Sequence, residues 1–309
     1  MLPMEIEGER LKEQIHLLQG KNCQLTLIDK GYSSDRKYRV SLSEQHFLLR
    51  VFAAKSSESK RREYDVLAMM EEYGVRCSKP LEFGQLPEAE IGYMLLSYVE
   101  GVDASEELPH YSDSVQYQIG LEAGKELWKM HQLQAPRHAP DWYESKVSKY
   151  RRYSEQYKAC GVRIRDDHKM ISFIDEHLEL MKNRPNSFQH DDFHLSNLIV
   201  KEGRLAGVID FNRYDWGDPV HEFLKIGMFS KEVSVPFSIG QIHGYFEGKQ
   251  PDDMFWKLYS LYTAMTVISS VVWILKVKPD ETEQMLNRLY GVLDDHDYFE
   301  MVKPRWYRD

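Results

Sequence analysis

At 309 residues the chain is too long for one minimal domain and comfortable for two. Hydrophobic residues make up 42% and aromatic residues 12%, enough apolar surface for substantial cores, which excludes global disorder. A formal net charge of -9 excludes the broad basic face that sequence-independent nucleic-acid binding uses, while remaining compatible with a cationic substrate.

The first hundred residues alternate strand and helix signals. Residues 24–28 (QLTLI), 37–42 (KYRVSL) and 46–52 (HFLLRVF) are short, rich in β-branched and aromatic side chains, and separated by polar turns. They predict strands of an antiparallel sheet. Residues 58–73 carry apolar positions at Val66, Leu67, Met70 and Tyr73 with charges between them, a helical pattern that Gly74 would stop. Strand-like runs return at 80–84 and 91–99. Beyond Gly101 the pattern changes to long amphipathic segments, at 113–133, 143–159, 166–182, 217–229, 238–247, 252–276 and 279–292. Only residues 188–211 interrupt them with strand character. The division that follows is α+β, a sheet-rich lobe over 1–100 and a larger, mainly helical lobe over 101–309, joined through residues 97–102.

Three cysteines, Cys23, Cys77 and Cys160, form an odd set without CxxC spacing, so neither a disulfide framework nor a metal cage is expected. Reduced thiols point to the cytoplasm. The N-terminal stretch MLPMEIEGERLKEQIHLL places charges where a secretory signal needs its apolar core. Leu258–Leu275 carries no charge and approaches the length of a bilayer span, but Ser260, Thr263, Thr266, Ser269 and Ser270 dilute it. A helix buried in a helical lobe fits that composition, and the chain reads as soluble, with no membrane partner.

The informative segment runs FQHDDFHLSNLIVKEGRLAGVIDFNRYDWGDP. His190, Asp192 and Asn197 form H-x-D-x-x-x-x-N, and Asp210 ends an apolar run 18 positions after Asp192. The runs on either side of the turn at 201–204 read as a β-hairpin that would return Asp210 to the end where Asn197 lies. Phosphoryl transfer wants these residue types together. A carboxylate, Asp192, orients an attacking hydroxyl and takes its proton. Hard oxygen donors from Asn197 and Asp210 suit Mg2+.

This segment resembles the aminoglycoside phosphotransferase family, within a wider group of choline and other small-molecule kinases. The likeness extends over most of the chain and is strongest at 188–222. It implies a protein-kinase-like two-lobed fold and use of ATP and Mg2+. It also implies that Asp192 is catalytic and that Asn197 and Asp210 are metal ligands. The family usually carries H-G-D where this chain has His190-Asp191-Asp192, which puts a second carboxylate beside the presumed base. By the same resemblance Ser33 and Ser34, after Gly31-Tyr32, approach the nucleotide phosphates, and Arg50 and Glu63 form the phosphate-binding pair. Ser97 and Val99 offer main-chain groups to adenine. His190 and His194 brace the loop, and Asp218 and Glu222 cap the following helix or hold the loop.

The short distance from Asp210 to WGDPVHEF leaves no room for a peptide-docking segment, so the acceptor is a small molecule. Asp294, Asp295, Asp297 and Glu300 would suit an aminated sugar, or form a solvated helix end. Three functions stay open: an aminoglycoside-type antibiotic kinase conferring resistance, a metabolic kinase of choline, an amino alcohol or a sugar derivative, and a nucleotide-binding module without transfer activity. Oligomeric state is not legible.

Overall fold

The computed structural model describes residues 11–29, 35–86, 88 and 90–308. Two compact units divide the chain: Met1–Gly101 with Ala206–Asn212, and Val102–Leu205 with Arg213–Asp309.

The first unit is built on five antiparallel strands: β1 (Gln24–Leu27), β2 (Arg36–Leu42), β3 (Gln45–Ala53), β4 (Pro80–Leu86) and β5 (Ile91–Ser97), in the order β1-β2-β3-β5-β4. The period-2 alternation of β3 divides its side chains between two environments. Leu49 and Val51 join Val40, Tyr93 and Leu95 in a core closed by Leu11, Ile15 and Leu18. Arg50 and Phe52 alternate with them. Arg50 meets helix α1 (Ser57–Glu72), whose buried positions Glu63, Val66, Leu67 and Met70 make one i, i+3, i+4, i+7 stripe. That helix ends in a Schellman arrangement: Gly74 has φ +66°, Val75 N–H donates to Met70 O at 2.9 Å, and Gly74 N–H donates to Glu71 O at 3.0 Å.

The second unit is mainly helical: α2 (Asp113–Met130), α3 (Trp142–Ala159), α4 (Asp167–His177), α5 (Val235–Tyr245), α6 (Asp253–Val277) and α7 (Thr282–Asp295). Helices α2 and α5 meet backbone to backbone. A Cβ added at Gly120 would lie 2.2 Å from Phe237 O, and one at Gly244 would lie 2.1 Å from Leu121 O, so only glycine permits this approach. Helix α6 contains the apolar stretch that approached a bilayer span; it is long and apolar enough to cross a membrane by length and composition, and 72% of its most apolar window is buried in the protein. Buried hydroxyls on it bond within the protein, as in Thr263 Oγ1 donating to Tyr259 O at 2.7 Å and Ser260 Oγ donating to Val302 O at 2.5 Å.

Short strands frame the loop of interest: β6 (Val102–Asp103), β7 (Ser187–Gln189), β8 (Leu198–Lys201), β9 (Arg204–Val208) and β10 (Asp215–Gly217). Strand β10 pairs with β7, and β6-β8-β9 form a three-stranded sheet containing the expected hairpin. Two helical expectations need correction. The segment 166–182 is α-helical only over Asp167–His177, followed by a 3-10 turn at Leu178–Met181. The segment 217–229 is a 3-10 turn at Pro219–Phe223 followed by a π-turn at Ile226–Ser230. The reason lies at its start: Gly217 packs against the Trp142 ring with no room for a Cβ, and Asp218 is buried and caps Val220 N–H at 3.1 Å.

Candidate active site

In the second unit, β7 delivers the chain into the loop His190–Asn197, and β8 takes it away. Asp191 has φ +59°, the left-handed conformation that glycine adopts freely and Asp tolerates better than most residues. The backbone therefore explains why a glycine is usual here in the family the sequence resembles. Glu222, buried, grips the loop: it accepts from Asp191 N–H at 3.1 Å and Phe193 N–H at 3.3 Å. Burial, reinforced by the nearby Asp191 carboxylate, raises its pKa to about 7. Asp218 anchors the same region. It pairs with Arg184 at 2.8 Å and accepts from the Tyr262 hydroxyl at 2.8 Å, and its carbonyl accepts from Gln189 Nε2 at 2.6 Å.

Asp192 and Asn197 are brought together: Asn197 Nδ2 donates to the Asp192 carbonyl at 2.8 Å, which commits the amide nitrogen and leaves the amide oxygen as the atom that could hold a metal. Asp192 Oδ1 is engaged by Lys225 Nζ at 3.0 Å and by His194 Nε2 at 3.4 Å, while Arg213 stands 3.8 Å from Oδ2. His194 Nδ1 accepts from Ser196 N–H at 3.3 Å, so one neutral tautomer, protonated at Nε2, meets both contacts. Burial would raise the Asp192 carboxyl, but the His194 hydrogen bond and the Lys225 charge outweigh it and hold the group well below the usual carboxylate range. His190 is buried with its ring 6.0 Å from Phe193, a packing role within the loop.

The first unit holds Arg50, Glu63, Ser97, Val99 and Asp210. Arg50 and Glu63 form a buried ion pair, and Arg50 also meets Asp35 at 2.5 Å. Lys60 closes the cluster, 2.5 Å from Asp35 and 3.4 Å from Glu63. Burial would lower the Arg50 pKa, yet the two carboxylates more than compensate and raise it. Asp210 has φ +67° and accepts from Asn212 Nδ2 at 2.5 Å. Ser97 N–H is spent on Lys79 O at 2.8 Å, so any contact from Ser97 to a nucleotide would run through its carbonyl. Ser33 and Ser34 lie outside the described residues.

Sequence reasoning missed several groups. Asp35 and Lys60 complete the Arg50 cluster. A cavity of about 150 Å³ lies beside the loop His190–Asn197, lined by Lys146, Lys149, Asp191, His221 and Lys225 among others. Lys146, Lys149, Tyr150 and Tyr153 fall at i, i+3, i+4 and i+7 of α3, a stripe whose periodicity was readable although the cavity it lines was not. The acidic tail is not part of this cavity. Asp295, Asp297 and Glu300 are ion-paired with Lys231, Arg305 and Lys169, which favours a structural role for them over amine binding.

A family model described as "Phosphotransferase enzyme family" matches residues 24–255, most of the chain. The chain belongs to that phosphotransferase family. It is therefore an enzyme that transfers a phosphoryl group to a hydroxyl, a small-molecule kinase with the protein-kinase-like two-lobed fold. Solved structures agree on the fold. A gentamicin complex of APH(2")-IIa is 18% identical, with a TM-score of 0.63 over 98% of this chain and 99% of that one. A thermostable mutant of aminoglycoside phosphotransferase APH(4)-Ia, bound to AMP-PNP and hygromycin B, is 14% identical (TM-score 0.65, covering 91% and 97%). The GDP complex of aminoglycoside 2'-phosphotransferase-IIIa is 11% identical (TM-score 0.66, covering 94% and 98%). No curated protein matches the phosphotransferase by sequence.

Proposed function

We propose that this phosphotransferase is an ATP- and Mg2+-dependent kinase that moves the γ-phosphoryl group to a hydroxyl of a small molecule. The observation that carries the reading is the loop His190–Asn197, wound by Glu222 so that Asp192 and Asn197 sit together beside a cavity in the same unit. The acceptor oxygen bonds to the γ-phosphorus, the bond to the β–γ bridging oxygen breaks, and ADP leaves. The hydroxyl proton passes to Asp192, whose Oδ2 is the less engaged oxygen. A carboxyl held this acidic is a weak base, so its main contribution is to orient the hydroxyl, as suits a loose transition state.

Asn197 and Asp210 offer Mg2+ an amide oxygen and a carboxylate, the hard donors it prefers, and the bound ion supplies charge neutralisation on the phosphates. Arg50 and Glu63 form the phosphate-binding pair, Ser33 and Ser34 the phosphate turn, and the Ser97 carbonyl and Val99 main chain the adenine edge. Residues 1–100 thus act as the nucleotide lobe and 101–309 carry the catalytic loop and acceptor site.

Aminoglycoside complexes among the structural neighbours support an antibiotic acceptor, and with it resistance, as one reading. The pairing of Asp295, Asp297 and Glu300 within the protein favours the second, a metabolic acceptor. The test of kinase activity is ADP release across an acceptor panel. Asp192→Ala should cut turnover by about 10²–10⁴-fold with AMP-PNP affinity nearly intact. Retained turnover in that variant would refute the role of Asp192.

A further inference from the structure

The cavity beside the catalytic loop is cationic. Three of its charged lining residues are lysines, Lys146, Lys149 and Lys225, against one carboxylate, Asp191. Lys225 is already neutralised by Asp192 at 3.0 Å. Among the described residues, neither Lys146 nor Lys149 has a carboxylate within ion-pair distance, although the two stand three residues apart on one helix and repel each other.

Lys146 is only 9% exposed. Its Nζ contacts His221 Nε2 and lies 5.2 Å from the centre of the Trp142 ring and 5.9 Å from that of Tyr262. His221 is kept neutral, first by burial and then by Lys146, so it accepts the hydrogen bond and fixes the ammonium group without discharging it. Burial and the neighbouring Lys149 outweigh the more distant Asp191 and Asp215 carboxylates and lower Lys146 to a pKa of about 7. A buried cation held by a neutral partner is destabilising unless something anionic completes it.

The cavity is also small. Its volume of about 150 Å³ falls below the roughly 300–1,000 Å³ of clefts for drug-sized ligands. A polyamine of several rings would have to extend out of the cavity and would face like charge within it.

We infer that the acceptor is a compact hydroxyl compound bearing an acid group, a carboxylate or a phosphate, which Lys146 and Lys149 hold while its hydroxyl faces Asp192. The inference rests on the kinase reading and names the acceptor class of that same site.

The test is calorimetric titration of the full chain, saturated with AMP-PNP and Mg2+ so that the nucleotide phosphates are already in place. The titrants are glycerate, glycerol 3-phosphate, inorganic phosphate, neutral glycerol and cationic 2-deoxystreptamine. The acids should bind and the other two should not, and glycerate against glycerol 3-phosphate decides between carboxylate and phosphate. Lys149→Glu, at an exposed position, should weaken acid binding by about tenfold or more, and Lys149→Arg should restore it. The inference is overturned if 2-deoxystreptamine binds and the acids do not, or if the acids bind wild type and Lys149→Glu equally. Failure of AMP-PNP to bind, together with no ADP release from any acceptor, would instead remove the kinase reading and this inference with it. AMP-PNP binding with turnover of amines alone would remove only the inference.

Discussion

Arg50 in the first unit and Lys146 in the second are both buried cations, 4% and 9% exposed, and the fold treats them in opposite ways. Arg50 is met by two carboxylates, Glu63 and Asp35, and its pKa rises; Lys146 is met by a neutral imidazole, and its pKa falls to about 7. The first arrangement is complete within the protein and locks strand β3 to helix α1. The second has no carboxylate within ion-pair distance among the described residues, which is the basis for the proposal that an acidic acceptor completes it. Burial alone therefore does not set the charge state of a cation; the carboxylates beside Arg50 keep it charged, and the neutral partner of Lys146 does not.

The contrast can be broken most forcefully at Arg50. Arg50→Met should cost about 3–5 kcal/mol in denaturant unfolding, because it leaves Glu63 and Asp35 buried without their partner. A loss under 1 kcal/mol would mean that Lys60 alone suffices. Glu222→Gln should come next, because one amide oxygen replaces two carboxylate oxygens that hold Asp191 and Phe193. We expect turnover to fall by about tenfold with a smaller change in stability.

Lys146→Met should behave unlike Arg50→Met, raising rather than lowering stability at pH 7. Its pH dependence sharpens the point. A lysine whose folded pKa is lowered from 10.5 to about 7 destabilises the fold fully below pH 7, and this penalty fades as pH rises towards 10.5. The variant's advantage over wild type should therefore be largest below pH 7 and shrink through that window in parallel denaturation curves. An advantage that grew with pH would show that Lys146 is stabilised as a cation. The smallest effect is expected at Asp191→Gly, within about 1 kcal/mol, since relief at φ +59° opposes the extra freedom of the unfolded chain. Calorimetry should also show tighter acid binding once this carboxylate leaves the cavity wall.

Much of the fold was legible in local spacing. The alternation of β2 and β3, the stripe from Val66 to Met70 and the Gly74 stop predict elements whose bounds move by only a residue or two. The stripe also explains how Glu63 could be found: it falls on the same face as Val66, Leu67 and Met70, so a charge there must be buried and paired. The region after Asp210 was harder. WGDPVHEFLKIGMF has helical composition, but Asp218 and Glu222 turn inward to hold the loop, and packing of Gly217 on Trp142 overrides propensity.

The sequence by itself determined the antiparallel sheet, the helical second half and the spacing of His190, Asp192, Asn197 and Asp210, because each is written in neighbours a few residues apart. The tertiary structure alone decided the charge of the cavity beside the loop. Lys146 and Lys149 come from α3, Asp191 from the loop, and His221 and Lys225 from the turns that follow Gly217. No periodicity links such distant positions; only packing makes them neighbours, and only neighbours in low dielectric determine which charge a pocket will welcome.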